Sequence, residues 1–468
     1  MYIQQLYTGC LSEAAYYIES GGEAAIIDPL RDIEVYIDLA RERNARIKYI
    51  FETHFHADFV SGHLDLAKAT QAPIIYGPDT DTHFPIYKAK DGEEFPLGEL
   101  RIEVLHTPGH TIESSCYLVK DSTGKPHAVF TGDTLFVGDV GRPDLSSGNL
   151  GREQLASMLY DSLQKKIIPL SDDVIVYPAH GPGSSCGKNL GPNTHSTIGE
   201  EKQTNYALKP QTREEFVEAV TNGLDTPPQY FPINARINRE GYESLDDILE
   251  NGLKPLDIPG FKKKMVADET IILDSREAPL FTEGFVPGSV NIGLSGRFAE
   301  WAGSLLPFDK PMLLITEEGK ERETLVRLAR VGFSNVQGYL QGGYAAWKAA
   351  GEQIDMIINV EADELALDLQ FDRNLVVMDV RREAEFADGH IRGAINVPVS
   401  ELTDPGSMAG IENNHNLYIH CAGGYRSIIA SSMLKREGFH NIRNVLGGWA
   451  SIRDQKGIDI VKENSVLN

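Results

Sequence analysis

Cysteine is scarce in this chain, and basic residues are outnumbered. Four widely spaced cysteines among 468 residues do not make a disulfide framework, which is typical of a reducing, cytoplasmic setting. The 44 basic and 68 acidic side chains give a net charge of −24, which argues against nucleic acid and anionic membrane surfaces as partners. No apolar run approaches the ~20 residues of a membrane span. The segment Met1–Gln5 lacks a basic leader, so we expect no secretory signal.

A cluster of potential metal ligands follows the apolar run Ile47–Phe51. His54, His56 and Asp58 alternate there, which predicts a ligand-rich loop at the end of a strand. Imidazole and carboxylate groups crowded together are costly unless a cation binds them. Phe59 places an apolar ring where a related site would have another imidazole, which favours one metal ion over two.

Three further polar residues follow short apolar runs in the same way. They are His110 after Leu100–Leu105, Asp133 after Ala128–Phe130, and His180 after Val174–Val176. Because α/β scaffolds build their sites from loops at strand ends, we predict that all these side chains meet in one metal centre.

The pattern H-x-H-x-D, G-H, G-D and A-H-G resembles the metallo-β-lactamase superfamily over about the first half of the chain. The resemblance implies an αββα sandwich with metal at one edge of its two sheets. Its thioester-hydrolase branch, of glyoxalase II type, has a further histidine where this chain has Phe59, and holds two metals. Its persulfide dioxygenase branch holds one Fe(II) through three residues, which correspond to His54, His110 and Asp133.

The residue types fit that metal. Two imidazoles and one carboxylate leave open positions that suit non-haem Fe(II), whereas zinc would serve hydrolysis through a bound hydroxide. Imidazole suits both ions, so zinc remains the alternative. His56, Asp58 and His180 are expected to orient the ligands by hydrogen bonds, or else to form a second, weaker metal position.

The second half of the chain contains an internal repeat. Residues that match between the copies lie 105 positions apart, namely Asp274 and Asp379, Asn291 and Asn396, and Gly343 and Gly448. A period this long indicates a duplicated domain. Short apolar strands alternate with helical stretches such as Glu323–Val331 and Ser427–Glu437, which predicts a parallel α/β sheet covered by helices on both faces.

The final copy carries a candidate nucleophile, Cys421. It stands between the strand-like Leu417–His420 and a helical stretch, in a loop completed by Ala422, Gly423, Gly424, Tyr425 and Arg426. A strand, a tight loop and a helix N-terminus surround the sulfur with N–H groups, which favours the thiolate and a negative sulfur species. A small buried side chain without chemistry is the alternative for a lone cysteine.

The loop resembles that of rhodanese domains, together with Asp379, Arg381 and Gly389–Pro398. The resemblance implies that Cys421 carries a persulfide, which Arg426 and the loop amides would steady. Related phosphatases use the wider C-x₅-R loop, so the C-x₄-R spacing here favours sulfur transfer.

The earlier copy has Glu317 at the position of Cys421, so we expect it to be inactive and to serve as a spacer, a docking surface or a dimer contact. The predicted domains are therefore a metal domain over 1–250, an inactive rhodanese-like domain over 251–355, and a rhodanese domain over 356–468.

Two further residues are candidates for substrate binding. Arg142, in a G-R-x-D sequence like that of the dioxygenase branch, either binds a substrate carboxylate or pairs with Asp144. Cys186 lies in a glycine-rich loop with Lys188 nearby. It is expected to be an accessible thiol that relays sulfur or lies beside the substrate, unless it has no role.

These expectations combine into one function, a persulfide dioxygenase fused to a rhodanese. A low-molecular-weight thiol persulfide would be oxidised with O₂ at one Fe(II) to sulfite and thiol. Cys421 would then pass sulfane sulfur to sulfite, giving thiosulfate, or run that exchange backwards, and the implied role is sulfide detoxification. The alternatives are a zinc-dependent thioester hydrolase with an appended sulfurtransferase, and a sulfur-binding scaffold. The resemblance also favours a homodimer or homotetramer.

Overall fold

A computed structural model of the chain describes residues 1–145, 150–267, 269–403, 405–408, 411–412 and 414–463. They belong to two compact units. The first is Met1–Asp247 with Leu328–Phe333, and the second is Ile248–Arg327 with Ser334–Asn468. Within the described ranges, no helix has the length and apolar character needed to cross a membrane. The two boundaries between the three domains given above stay predictions.

The first unit contains two six-stranded sheets, each with its strands in chain order. The first sheet comprises β1 (Tyr2–Thr8), β2 (Glu13–Ser20), β3 (Glu23–Ile27), β4 (Arg46–Phe51), β5 (Ile74–Tyr76) and β6 (Tyr87–Lys88). The second comprises β7 (Glu94–Leu97), β8 (Leu100–His106), β9 (Ser115–Lys120), β10 (Pro126–Gly132), β11 (Ile175–Pro178) and β12 (Ser196–Thr197). Its helices are α1 (Glu34–Glu42), α2 (His63–Thr70), α3 (Arg152–Ser162), α4 (Ile198–Thr204), α5 (Arg213–Thr221) and α6 (Phe231–Glu240), and α7 (Leu245–Gly252) crosses into the second unit.

Three apolar cores make this unit a four-layer αββα sandwich, as expected. The central core joins the inner faces of the two sheets, with Tyr16 and Phe51 from one and Tyr117 and Phe130 from the other. The outer face of the first sheet packs on α1 and α2. The outer face of the second sheet packs on α3 and α5. Each sheet therefore buries both faces, while its edges and strand ends remain available for a site.

Strand direction brings the predicted ligand loops to one edge of this sandwich. In the first sheet β3 and β4 are parallel, and in the second β8, β10 and β11 run in the same direction. The residues after these strands therefore leave each sheet at a common end. The four predicted strands before the ligands are confirmed, with boundaries that differ by at most two residues.

The second unit contains two five-stranded parallel sheets with the same strand order. In spatial order, one has β13 (Pro255–Leu256), β17 (Val336–Leu340), β16 (Met312–Ile315), β14 (Ile271–Asp274) and β15 (Ser289–Asn291). The other has β18 (Ile358–Val360), β23 (Ile442–Val445), β22 (Asn416–His420), β19 (Leu375–Asp379) and β21 (Ile395–Asn396). The strands β20 (His390–Ile391) and β24 (Ile460–Val461) form a separate antiparallel pair.

Helices cover both sheets of this unit. They are α8 (Ile258–Met265), α9 (Ala278–Thr282), α10 (Phe298–Leu305), α11 (Glu321–Arg330), α12 (Gly343–Ala349), α13 (Ala362–Phe371), α14 (Glu383–Ala387), α15 (Tyr425–Arg436) and α16 (Trp449–Ile452). The last three residues of α11 belong to the first unit. Successive strand residues such as Val377 and Met378 are buried alike, so both faces of the sheet are covered. The predicted duplication and parallel α/β architecture are confirmed.

Candidate functional site

Three side chains converge at the common end of the two sheets. The Nε2 atoms of His54 and His110 lie 3.8 and 3.4 Å from Oδ2 of Asp133. All three residues are buried, and their ligand atoms lie within 4.8 Å of one another. The sequence placed these residues on separate loops, and the sandwich brings them together.

Hydrogen bonds fix the tautomers of the two histidines. The Thr53 hydroxyl donates to Oδ2 of Asp28 at 2.9 Å, so its oxygen accepts from Nδ1–H of His54, also at 2.9 Å. Nδ1–H of His110 donates to the carbonyl oxygen of Arg142 at 2.8 Å. Both rings therefore present an unprotonated Nε2, the form that binds a metal. Burial also lowers the pKa of His54 well below its ordinary value, which keeps that ring neutral.

The carboxylate of Asp133 is the clearest sign that this group binds a cation. Both of its oxygens are buried without a hydrogen-bond partner among the described residues. A buried carboxylate without compensation is very costly, and the neutral ring of His54 does not supply the missing charge. The donor set of two nitrogens and one oxygen fits Fe(II), and it also fits zinc.

His56 lies outside the group of His54, His110 and Asp133. Its ligand atom comes within 4.8 Å of those of Asp58 and His180, as the sequence predicted, and of those of Asp28 and Glu52. Its Nε2 lies 3.1 Å from Oδ1 of Asp28 and 3.6 Å from Oε2 of Glu52, and its ring lies against Phe59 at 4.3 Å between centroids. Burial alone would lower the pKa of His56, but the two carboxylates outweigh burial and raise it to about 10. His56 is therefore a buried imidazolium held by two acids beside the three-residue group.

Sequence reasoning missed Asp28 and Glu52. Asp28 follows β3 directly, the same strand-end signal that identified the other candidates, and Glu52 follows β4. Oε1 of Glu52 also accepts from the Ser61 hydroxyl and lies 3.3 Å from Nδ1 of His63. Asp28, Glu52 and His56 thus form a network of buried charged side chains next to the three candidate metal ligands.

Asp58 and His180 lie on the other side of Asp133. Nε2 of His180 is 3.5 Å from Oδ2 of Asp58 and 3.4 Å from Oδ1 of Asp133. Nδ1–H of His180 donates to the carbonyl oxygen of Ser12 at 3.2 Å, so its Nε2 faces the two carboxylates. Burial raises the pKa of Asp58. These contacts allow either role that the sequence predicts, orientation of Asp133 or a second metal position, and Phe59 adds no ligand to the second.

Arg142 is held by its own neighbours. Its Nε and Nη2 each donate to a carboxylate oxygen of Asp144 at 2.7 Å, and Nη2 also reaches the carbonyl oxygen of Asp225 at 2.5 Å. Of the two partners expected, the structure shows Asp144. The backbone of Arg142 contributes to the site instead, through the carbonyl oxygen that His110 contacts.

Cys186 lies near the metal group but is not accessible. Its side chain is 1% exposed, so the expected accessible thiol is wrong. The reason is that the loop containing Cys186 packs against the segment of Arg142. There the Cys186 carbonyl oxygen accepts a hydrogen bond from the Arg142 backbone N–H. Sγ groups with Asp133 and His180 within 4.8 Å, and burial raises the pKa of the thiol well above its ordinary value. Nζ of Lys188 donates to the carbonyl oxygen of Ala219 instead.

The second candidate site is the loop between β22 and α15. Cys421 is buried, and its Sγ accepts a hydrogen bond from the Gly424 backbone N–H at 3.1 Å. Its thiol also lies 3.7 Å from the Ser427 hydroxyl, while Ala422 and Gly423 are exposed. The predicted strand, loop and helix are confirmed. One sulfur thus faces an amide at the positive end of a twelve-residue helix.

Arg426 and Tyr425 have partners that the sequence did not reveal. The guanidinium of Arg426 makes two hydrogen bonds to Glu385, at 2.6 and 2.9 Å. The Tyr425 hydroxyl donates to the carbonyl oxygen of Gly293 at 2.7 Å. In the earlier copy Thr316, rather than the expected Glu317, stands at the position of Cys421, because Ile315 pairs with Asp274 as His420 pairs with Asp379. The exposed Glu317 is the next residue, so that copy still has no cysteine in this loop.

Family models match three parts of the chain. Residues 8–180 match the metallo-beta-lactamase superfamily, and residues 259–350 and 361–455 each match the rhodanese-like domain.

Curated relatives and a solved structure match it as well. The chain is 32% identical over 205 residues to a probable hydroxyacylglutathione hydrolase of Schizosaccharomyces pombe, which covers 39% of this chain and 75% of that protein. It is 31% identical over 218 residues to the persulfide dioxygenase ETHE1 of Homo sapiens, covering 44% and 75%. A crystal structure of a metallo-beta-lactamase from Staphylococcus aureus covers 73% of this chain and 99% of its own, with a TM-score of 0.65 and 31% identity.

Proposed function

Because the chain belongs to the metallo-β-lactamase superfamily and carries two rhodanese-like domains, we propose that it is a persulfide dioxygenase with a sulfurtransferase domain. The first reaction takes a low-molecular-weight thiol persulfide, O₂ and water to the free thiol, sulfite and two protons. The second transfers sulfane sulfur through Cys421. Together they would convert persulfide sulfur into sulfite and thiosulfate, which suits sulfide detoxification.

The proposal depends mainly on the different contacts that the histidines make. His54 and His110 turn a free Nε2 toward Asp133, whereas His56 is held between Asp28 and Glu52. This supports a three-residue site for one ion. A ferrous ion there would supply neighbouring open positions for the terminal sulfur of the persulfide and for O₂.

The protein's own groups keep this site in one arrangement. The Thr53 hydroxyl and the Arg142 carbonyl oxygen hold the far nitrogens of His54 and His110, so neither ring is free to turn. Asp133 is buried, which excludes bulk water from its carboxylate. Because these ligands are fixed and shielded from water, a metal bound there would not readily be lost to solvent. It would remain available to bind the sulfur anion of the persulfide.

Sulfur transfer needs only the Cys421 loop. The Cys421 thiolate attacks the outer sulfur of a persulfide, the S–S bond breaks, and the carrier leaves as its thiol. The sulfur lone pair of sulfite then attacks the sulfur held on Cys421, which forms thiosulfate and restores the thiolate. The Gly424 N–H stabilises the negative sulfur in both steps. No external oxidant enters this exchange.

The test is an anaerobic preparation analysed for iron and zinc, followed by O₂ uptake with thiol persulfides and hydrolysis of S-lactoyl-glutathione. We expect about one iron per chain and O₂ uptake that His110→Gln lowers at least about 100-fold, because a metal ligand is lost. The matched change His106→Gln, four residues earlier, should leave uptake within about twofold. Two zinc ions per chain with thioester hydrolysis and no O₂ uptake would contradict the proposal.

A zinc-dependent thioester hydrolase is the second candidate. It is favoured by the approach of His180 to both Asp58 and Asp133, the start of a second metal position, and by the similarity to hydroxyacylglutathione hydrolases. Phe59 and the Cys421 loop weigh against it, since the first removes a ligand and the second has no part in thioester hydrolysis.

A further inference from the structure

The side chain of Tyr425 connects the Cys421 loop to the earlier rhodanese-like copy. Tyr425 is the first residue of α15 and directly follows Gly424, whose N–H donates to Sγ of Cys421. Its hydroxyl donates to the Gly293 carbonyl oxygen, in the loop that follows β15 of the other sheet. Both sheets belong to the second unit, so this contact lies within one compact unit.

Two glycines leave the space that this ring occupies. A Cβ added to Gly296 would lie 2.4 Å from Cζ of Tyr425, well inside van der Waals contact, and one added to Gly293 would lie 3.5 Å from Cε2. Any side chain at position 296 would therefore push the ring away. We call Gly293 and Gly296 the tyrosine seat.

The internal repeat shows that the seat is specific to the earlier copy. At the 105-residue offset, Gly293 and Gly296 correspond to Pro398 and Glu401 in the Cys421 copy. Tyr425 in turn corresponds to Lys320 of the earlier copy. The duplicated folds have thus diverged in complementary ways, one toward a tyrosine beside the nucleophile and the other toward a glycine surface that accepts it.

Two further contacts hold the same helix. The Asn291 backbone N–H, at the end of β15, donates to the buried Ser432 hydroxyl at 2.9 Å. Nζ of Lys435 lies 2.9 Å from Oδ1 of Asp355. Ser432 lies about one turn before the end of α15 and Lys435 is its penultimate residue, so these two contacts fix the end of the helix while Tyr425 fixes its start.

We propose that the earlier rhodanese-like copy is a positioning part of the sulfur-transfer site. Its tyrosine seat holds Tyr425, and Tyr425 holds Gly424, so the Gly424 N–H stays aimed at Cys421. This inference rests on the proposed sulfur transfer and assigns a task to the copy that lacks the cysteine. Without the seat the amide would drift, and the thiolate and its persulfide would lose a hydrogen bond.

The experiment uses the full chain with Tyr425→Phe and Gly296→Ala. Transfer of sulfur from thiosulfate to cyanide is measured as kcat and KM. The pH dependence of Cys421 alkylation by iodoacetamide is followed by mass spectrometry of its peptide. Tyr344→Phe is the matched control, because its ring lies under the Arg276 guanidinium of the same copy. Thermal unfolding shows whether each variant is folded.

We expect Tyr425→Phe to lower kcat about fivefold, and Gly296→Ala about tenfold or more, with KM within about twofold. The alkylation midpoint should move to higher pH in both, because the thiolate is less stabilised. Tyr344→Phe should change neither quantity. A kcat and an alkylation profile equal to those of the wild type in Tyr425→Phe would overturn the inference.

The proposed sulfurtransferase activity and the proposed role of the tyrosine seat can be contradicted independently. If the unchanged chain transfers no sulfur, the proposed sulfurtransferase activity is wrong, and the alkylation profile alone still decides whether the seat acts on Cys421. If Gly296→Ala does not fold, Tyr425→Phe decides, since it keeps the ring and removes one hydroxyl.

Discussion

His56 occupies a motif position that suggests a ligand, and its partners give it another task. It lies between Asp28 and Glu52 and compensates the negative charge of these two buried carboxylates. Oδ2 of Asp28 in turn accepts from the Thr53 hydroxyl, whose oxygen contacts His54. A single carboxylate thus contacts His56 directly and orients His54 through the Thr53 hydroxyl.

Replacement of Phe59 tests how many metals the site holds. We expect Phe59→His to raise the metal content of an anaerobic preparation from about one ion per chain toward two, because the new imidazole joins Asp58, Asp133 and His180. Elemental analysis by mass spectrometry measures this directly. The apolar change Phe59→Leu should leave the content unchanged. An unchanged content in Phe59→His would show that the second position is closed for another reason.

Removal of the Asp28 carboxylate should weaken metal binding. Asp28→Ala frees the Thr53 hydroxyl and with it the Nδ1–H of His54, so we expect a loss of about 10- to 100-fold in metal affinity. A titration against a competing chelator measures the affinity. Asp28→Asn keeps a hydrogen-bond acceptor and should lose less. Equal affinities in Asp28→Ala and the unchanged protein would rule out this orienting role.

An ion pair joins helices α14 and α15 next to Cys421. Glu385 on α14 binds Arg426 on α15 through two hydrogen bonds, so the arginine expected to steady a persulfide is already paired. The hydrogen bonds from Arg426 lower the pKa of Glu385, although burial opposes this. The amide of Gly424 is therefore the direct partner of Cys421, and Arg426 joins the two helices.

The ion pair between Glu385 and Arg426 predicts that the stability of the second unit depends on pH. Because the folded pKa of Glu385 lies below its ordinary value of 4.5, its stabilising effect is present above that pH and is lost as the pH falls through the folded pKa. Glu385→Gln should unfold at a lower temperature than the unchanged protein at pH 7, and the difference should shrink below about pH 4.5.

Tryptophan fluorescence measures this unfolding selectively. The three tryptophans, Trp301, Trp347 and Trp449, all lie in the second unit. Glu383→Gln, on the exposed side of the same helix, is the control and should show no such convergence. A difference between Glu385→Gln and the unchanged protein that stays constant down to pH 3 would contradict the assignment.

At the scale of the whole molecule, two chemistries share one polypeptide. The buried metal group belongs to the first unit and the Cys421 loop to the second. Under the proposed function the first unit produces sulfite, and the second adds sulfane sulfur to it. Two activities built from separate residues should be separable by mutation.

Cys421→Ser tests that separation. We expect O₂ uptake with a thiol persulfide to stay within about twofold of the unchanged protein, because no metal ligand is altered, while thiosulfate formation falls at least about 100-fold. An oxygen electrode and ion chromatography measure the two. Cys10→Ser, which removes a different thiol, is the control. Loss of both activities in Cys421→Ser would mean that the cysteine carries the whole reaction.

Much of the site could be predicted because its signals are local. Strand-forming runs followed by His or Asp mark His54, His110, Asp133 and His180, and the loop from Cys421 to Arg426 carries its own spacing. The 105-residue repeat is likewise visible in the sequence. Ligand type and strand-end position depend on near neighbours in the chain, and the duplication is a match between two stretches of sequence, so all three can be predicted without the fold.

Tertiary structure alone decided the partners of these residues. Asp28 and Glu52 hold His56, Asp144 holds Arg142, Glu385 holds Arg426, and the burial of Cys186 follows from the fold of its loop. The physical reason is that charge pairing and burial depend on which distant segments the sheets bring together. The same holds for Tyr425 and Gly293, which meet because two copies of one fold lie in the same unit.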